Sequence, residues 1–162
     1  MTATPENPAP IVTEGQPVPA VTLARDGGGT VSLSDFPGKK IVLFTYGQDG
    51  TPTCTNEVMD FDGLRAEFEA AGAVVIGLSK DPVKSHDKFI AKKGISLILA
   101  SDHGGTMMDA WGAFGRKLFF GKEVTGVLRS TFLIVDGKLS KVWKVDKVKG
   151  HAAEVLEAVR AL

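Results

Sequence analysis

The chain reads as an α/β domain in which a central mixed β-sheet is flanked by helices and preceded by a β-hairpin. Three observations predict it. Ile41-Val42-Leu43-Phe44 and Ala73 to Leu78 are continuously apolar rather than alternating, as strands covered on both faces are. Each run is followed by a segment with apolar residues at helical spacing. Phe132-Leu-Ile-Val135 and Leu139 to Val145 flank Asp136-Gly137, a dipeptide that closes antiparallel hairpins. The order β-α-β-α-β, then a hairpin, then a helix, is that of a sheet between helical layers.

Met1 to Pro10 holds three prolines among polar neighbours and has neither a basic start nor an apolar run. It reads as no secretory signal. Residues 1–14 are therefore expected to form a flexible tail and residues 15–162 one domain. Val18 to Leu23 and Thr30 to Leu33 read as a hairpin around Asp26-Gly27-Gly28-Gly29. That glycine-rich loop lacks the Gly-Lys-Ser/Thr that phosphate cradling requires. Phe36-Pro-Gly-Lys-Lys40 turns into the first core strand.

A turn built from Gly47, Asp49, Gly50 and Pro52 then opens a helix with the stripe Val58, Phe61, Leu64 and Phe68, stopped at Ala70-Ala71-Gly72. Asp81-Pro82 reads as an N-cap followed by proline at the first helical position. Its helix carries Val83, Phe89 and Ile90 and ends before Gly94. Ser96 to Ala100 is a short strand, Thr106 to Trp111 a short helix, and Lys117 to Gly126 a loop with a short strand. Ala152, Val155, Leu156, Val159 and Leu162 form the apolar face of a closing helix.

Composition narrows the function classes. The chain has 162 residues, 43% of them hydrophobic, enough for one core. Nineteen acidic and nineteen basic residues balance, so no global charge draws it to nucleic acid or to a membrane. From Arg116 onward, ten basic residues face five acidic ones. These lysines read as a solvated strand edge protected from aggregation, in preference to a nucleic-acid surface on which Trp143 stacks a base. No stretch is long enough to span a bilayer. His86, His103 and His151 show no metal-ligand spacing with one another or with the cysteine, so neither metal nor cofactor is expected. A single thiol suits a reducing compartment, and the expected location is cytoplasmic.

Cys54, the only cysteine, falls in or beside the first turn of the Val58/Phe61 helix. Free main-chain N–H groups there carry partial positive charge, which favours a thiolate. An ordinary thiol has a pKa of about 8.5, and helix N-termini lower it. A lone cysteine is commonly a small buried hydrophobe. A structural one would more naturally lie on the apolar stripe than among Thr51, Thr53 and Thr55, whose hydroxyls cap helices or bind oxygen species. The position marks a reactive thiol.

Thr51-Pro-Thr-Cys54-Thr-Asn-Glu57, after Phe44-Thr-Tyr46, resembles the peroxidatic motif of peroxiredoxins. More narrowly it is similar to the peroxiredoxin Q group, also called bacterioferritin comigratory proteins. Gly77-Leu-Ser-Lys-Asp81, Lys84-Ser-His86, Arg129-Ser-Thr-Phe132 and Lys147-Val-Lys-Gly-His151 continue the resemblance in order, over about residues 15 to 162. It implies a thioredoxin-like fold with an N-terminal hairpin. It also implies Cys54 as the nucleophile, with Thr51 and Arg129 as catalytic partners. Glu57, Tyr46 and Thr53 are supporting residues: Glu57 holding backbone or an arginine, Tyr46 walling the pocket, Thr53 lending backbone N–H to the cradle.

The chain also departs from the group. Gly47 stands where the family has a shielding proline, Thr53 where it has glycine, and Gln48 where it has lysine. Met59 and Ile90 occupy the regions where relatives carry a resolving cysteine, so an intrachain disulfide is excluded by the cysteine count. Gly47 predicts a looser pocket mouth. The expected function is a one-cysteine thiol peroxidase acting on hydrogen peroxide and organic hydroperoxides. Its sulfenic acid would be resolved by an external thiol: thioredoxin, glutaredoxin or glutathione. A peroxide sensor or redox-interaction module is the alternative. The expected state is a monomer or weak homodimer, without nucleic-acid or membrane partners.

Overall fold

The computed structural model describes residues 6–162. In chain order the elements are β1 (Thr22–Arg25), β2 (Thr30–Ser32), β3 (Lys40–Thr45), α1 (Pro52–Gly63), α2 (Arg65–Ala70), β4 (Ala73–Ser79) and α3 (Val83–Lys93). They continue as β5 (Ile98–Ser101), α4 (Met107–Ala110), β6 (Phe114–Phe119), β7 (Lys122–Val127), β8 (Ser130–Val135), β9 (Lys138–Lys144) and α5 (His151–Arg160). Seven strands form a mixed sheet in the order β2-β1-β5-β4-β3-β8-β9. In it β3 runs parallel to β4 and antiparallel to β8.

The apolar run on β3 is explained by what covers it. Val42, Phe44 and Tyr46 face a core shared with Val58 and Phe61 of α1, Phe68 of α2, Phe89 of α3 and Val155 and Val159 of α5. Ile41 and Leu43 face the opposite core, with Leu78, Met108, Trp111, Phe132 and Ile134. Both faces exclude water, and each fully buried Phe or Leu contributes about 1.5–3 kcal/mol. Phe61 stacks on Phe44 with ring centroids 4.3 Å apart, which fixes α1 on the central strand. Gly77 permits this: a Cβ there would lie 2.9 Å from both Phe44 and Leu99.

Several sequence expectations need adjusting. The Val58-to-Phe68 stripe is two helices, because the chain leaves helical geometry at Leu64 (φ −99°, ψ 5°), whose N–H bonds to Phe61 O. Just before it, Gly63 has weak helical propensity, and the Asp62 carboxylate accepts the N–H groups of Ser96 and Leu97. Phe68 still reaches the core. The cap of α3 is Pro82 rather than Asp81. Leu162 lies past the end of α5 and is exposed.

Lys117 to Gly126 belongs to a full hairpin, β6 with β7, closed by Phe120-Gly121 with φ 51° and 78°. Both turn residues take the left-handed conformation that two-residue hairpin turns demand, yet the first is a phenylalanine rather than Asn or Asp. The first hairpin is shorter than expected, since β1 begins only at Thr22, after Pro17 and Pro19. The loose alternation after Leu139 has a structural cause. Ile134 pairs with Leu139 but Leu133 with Lys141, so Ser140 is an extra residue in a bulge.

Of the expected tail, residues 1–5 lie outside the described residues. The Asn7 side chain bonds both the N–H and C=O of Arg116, and Ile11 N–H bonds Ala110 O at 2.9 Å. Among the described residues, no helix is long and apolar enough to cross a membrane.

Candidate active site

Cys54 is the third residue of α1, after Pro52 and Thr53. Pro52 suits the first position because its missing N–H has no partner to lose there. Thr51 caps the helix in an extended conformation (φ −72°, ψ 150°). The first helical bond runs from Thr55 N–H to Thr51 O at 2.8 Å, so the N–H groups of Thr53 and Cys54 lie ahead of it. Cys54 is only 5% exposed and packs in the core cluster of Phe44, Tyr46 and Val58. By burial alone it would be an inert thiol.

Its polar neighbours make it otherwise. Arg129, the residue before β8, donates from Nη2 to Cys54 Sγ at 3.4 Å and from Nη1 to Glu57 Oε1 at 2.6 Å. One guanidinium fork thus spans the sulfur and a carboxylate one turn further along the same helix. Burial pushes the Cys54 thiol pKa up, but the Thr51 hydroxyl, the Gln48 main-chain amide and Arg129 together outweigh it. The net result is a pKa below the ordinary thiol value. Glu57, 1% exposed, is pushed up to about 7 by burial despite Arg129. Its Oε2 is buried without a hydrogen-bond partner, which disfavours the charged form.

Behind the cysteine lies a network that sequence spacing did not reveal. Asp49, in the loop between β3 and α1, accepts from Tyr46 Oη (2.6 Å), Ser85 Oγ (2.8 Å) and His86 Nδ1 (2.7 Å). Asp49 N–H donates to Asp81 Oδ2 at 2.9 Å, which also accepts from Ser79 Oγ at 2.7 Å. His86 Nε2 meets the Ala100 carbonyl at 2.8 Å. Both ring nitrogens therefore face acceptors, the pattern of an imidazolium. Burial lowers the His86 pKa, but its hydrogen bond to Asp49, the Asp49 charge, the Ala100 carbonyl and Asp81 outweigh it and raise it overall. Asp49, Asp81 and His86 offer ligand atoms within 4.8 Å of one another. Both Asp49 oxygens, both His86 nitrogens and Asp81 Oδ2 are already hydrogen-bonded to protein groups, so a cation there would compete with the bonds that hold the loop.

This anchoring counters the looseness predicted from Gly47. That residue is exposed and outside the left-handed region, and a Cβ built on it lies 3.6 Å from Cys54 Sγ, an ordinary contact. A side chain at 47 therefore has room beside the sulfur and would cover it. Gly47→Pro is expected to reduce sulfinic acid formation severalfold across a peroxide titration read by mass spectrometry. Equal sensitivity in two folded proteins would leave Gly47 without a role in exposing the sulfur.

The structure brings Cys54, Thr51, Arg129 and Glu57 together. The Thr51 hydroxyl also reaches Gln48 O at 3.0 Å. Thr53 is exposed on the first turn, and Tyr46 is fully buried behind the loop with its hydroxyl on Asp49. Sequence does not assign Asp49, Asp81, Ser85, His86 or the Gln48 amide to the site, although Asp49 reads as a turn residue, Asp81 as a cap and Lys84-Ser-His86 as a family segment. His86 carried a usable signal: it falls between Val83 and Phe89 on the apolar stripe of α3, where a polar side chain must find partners.

Fold and site together define a thioredoxin-like protein whose single thiol is held for ionisation at a helix N-terminus. Residues 14–142 match the AhpC/TSA family. A protein of Helicobacter pylori named putative peroxiredoxin bcp is 42% identical over 146 residues, which cover 90% of this chain and 96% of that one. Peroxiredoxin Bcp of Bacillus subtilis is 42% identical over 147 residues, covering 90% and 94%. The solved structure of Xanthomonas campestris peroxiredoxin Q superposes with a TM-score of 0.81 at 41% identity, over 87% of this chain and 90% of that one. The chain belongs to the AhpC/TSA family and, within it, to the peroxiredoxin Q or Bcp group.

Proposed function

We propose that the protein reduces hydrogen peroxide and small organic hydroperoxides by a one-cysteine cycle on Cys54. The observation that carries this reading is the Arg129 guanidinium at 3.4 Å from a sulfur in the first turn of a helix. The thiolate attacks one oxygen of ROOH; the O–O bond breaks, ROH leaves with a proton, and Cys54 becomes a sulfenic acid. Negative charge spreads over sulfur and both oxygens in that step. Arg129 and the N–H groups of Thr53 and Cys54 are the donors set to meet it, and the Thr51 hydroxyl joins them by turning its hydrogen away from Gln48 O. Glu57 orients Arg129, and Tyr46 orients the loop through Asp49.

The family supports the chemistry, and a solved structure of the Xanthomonas campestris bacterioferritin comigratory protein concerns its alkyl peroxide reduction activity. With one cysteine in the chain, the sulfenic acid goes to an external thiol: thioredoxin, glutaredoxin or glutathione. A reduced, cytoplasmic setting and a monomer or weak homodimer fit that cycle.

Stoichiometry tests the proposal. With reductant in excess, each protein molecule is expected to consume many equivalents of hydrogen peroxide or cumene hydroperoxide. A sulfenic Cys54 should be trapped by dimedone when reductant is withheld. Consumption that stops at one equivalent with every thiol tried would mark a sensor instead.

A further inference from the structure

A cavity of about 540 Å³ opens beside Cys54, lined by Gly47, Lys117, Val127, Leu128, Arg129, Lys144, Val145 and Asp146. It meets the reaction centre twice: through Gly47, where a Cβ would lie 3.6 Å from the sulfur, and through Arg129, which touches the sulfur itself. Two lysines line it from different strands. Lys117 donates to Val127 O at 2.9 Å, and Lys144 donates to Gly112 O at 2.7 Å and Ser130 Oγ at 3.2 Å. An ammonium has three hydrogens, so each keeps at least one to give.

Among the described residues, the ion pairs engage neither lysine. Arg129 is matched by Glu57, and Asp146 at the exposed rim offsets one of the two lysine charges. The cavity therefore remains positive, while Val127, Leu128 and Val145 give it apolar walls. Burial also holds Lys144 below the usual lysine range, a cost that a bound anion relieves. The volume is that of a small-molecule site.

We propose that this cavity receives a small carboxylate-bearing thiol, with its carboxylate on Lys117 and Lys144 and its sulfur at Cys54, as the reductant of the sulfenic acid. The inference rests on the peroxidase reading and names its second substrate. A thiol is the occupant because the chain holds no second cysteine and two residues lining the cavity, Gly47 and Arg129, adjoin the Cys54 sulfur. In the first step RSH attacks the Cys54 sulfur; an S–S bond forms, the S–O bond breaks, and the oxygen leaves as water with the thiol proton. A second RSH attacks the mixed disulfide, releasing RSSR and the Cys54 thiol. Two external thiols are oxidised for each peroxide reduced.

The test separates the two half-reactions. Full-length protein, as wild type, Lys117→Gln/Lys144→Gln and Lys117→Arg/Lys144→Arg, is oxidised with one equivalent of hydrogen peroxide, and the sulfenic acid is verified as its dimedone adduct. It is then mixed with glutathione, 3-mercaptopropionate, 2-mercaptoethanol or cysteamine, and rates are compared per thiolate. Wild type is expected to favour the carboxylate-bearing thiols over cysteamine about tenfold, with the preference shrinking as salt rises. The glutamine variant should lose that ratio and the arginine variant keep it. Equal ratios in wild type and the glutamine variant, or no salt dependence in wild type, overturn the proposal. So does a lysine dependence confined to the peroxide step, seen with a fatty-acid hydroperoxide but not with cumene hydroperoxide, which would give the cavity to the oxidant. Failure to form any sulfenic acid overturns the peroxidase reading itself, a different observation from a lost thiol preference.

Discussion

Replacing Arg129 with methionine is expected to slow sulfenic acid formation by about 10²–10³-fold, the range seen when one preorganised donor to a developing charge is removed. Two effects add. The sulfur loses a hydrogen bond at 3.4 Å and a permanent cation, so its pKa rises toward and past that of a free thiol. Less thiolate is then present at neutral pH, and what forms meets a transition state short of one donor. Methionine keeps the apolar stem of the side chain, and Glu57, already pushed up to about 7, accepts the loss of its cation by taking up a proton. Arg129→Lys keeps charge but not the fork that spans sulfur and carboxylate, and should fall between the two. Alkylation rate against pH reads the thiol pKa, and single-turnover mixing with peroxide reads the rate. A methionine variant within threefold of wild type in both would remove Arg129 from the mechanism.

That pairing shows where sequence reading runs out. Cys54 could be placed at a helix entrance from local chemistry: a glycine- and proline-rich turn before it and an apolar stripe after it. Arg129 lies 75 residues away and joins it only because β8 pairs antiparallel with β3 and begins at the edge where β3 ends. Nothing within a window of helix or strand length links them, so only the resemblance of Arg129-Ser-Thr-Phe132 to a family segment brought Arg129 in. The Asp49–His86 pair was harder still. Asp49 reads as a turn residue, and although the place of His86 on the apolar stripe of α3 calls for a partner, that partner stands 37 positions back.

The fold was legible where a pattern had one physical cause. Doubly covered strands gave apolar runs at β3 and β4, and Asp136-Gly137 announced its hairpin. It was illegible where tertiary contacts override local preference. The turn at Phe120-Gly121 takes left-handed angles that sequence statistics assign to Asn or Asp, so β6 and β7 read as a loop with a short strand. The stripe through Leu64 is continuous in sequence although the helix is not, because Asp62 binds the chain ahead of β5 and the stripe's residues still face one core. Basic residues after Arg116 read as a solvated edge, which holds for β9 at the end of the sheet. Lys117 and Lys144 depart from that reading only because their strands meet at the cavity beside Cys54.

Asp49→Ala is expected to destabilise the protein by about 3–5 kcal/mol, the cost of leaving the partner of a buried ion pair uncompensated. The Asp49 side chain is 4% exposed and that of His86 is 0% exposed, so solvent does little to screen the pair. The change strands the His86 ring, the Tyr46 hydroxyl and the Ser85 hydroxyl at once. Asp49→Asn keeps the shape and some hydrogen bonds but not the charge, and should cost less. The effect depends on pH in a direction set by both partners. The folded pKa of His86 is raised, so its contribution is complete below its unfolded value of about 6.5 and is lost as pH rises through the folded one. Asp49 is lowered by its hydrogen bonds to His86, Tyr46 and Ser85 against the opposing effect of burial; its contribution is present above the ordinary carboxylate range and fades as pH falls. The difference between wild type and Asp49→Ala should therefore be largest around pH 6 and narrow on the alkaline side. Urea unfolding of both proteins from pH 5 to 9 measures it. The same loop carries Thr51 and leads into Cys54, so the peroxide step should also slow in whatever fraction stays folded. A difference that is flat across that range would show that the pairing does not shift the titration of His86, and a difference below about 1 kcal/mol would show that the network does not hold the loop.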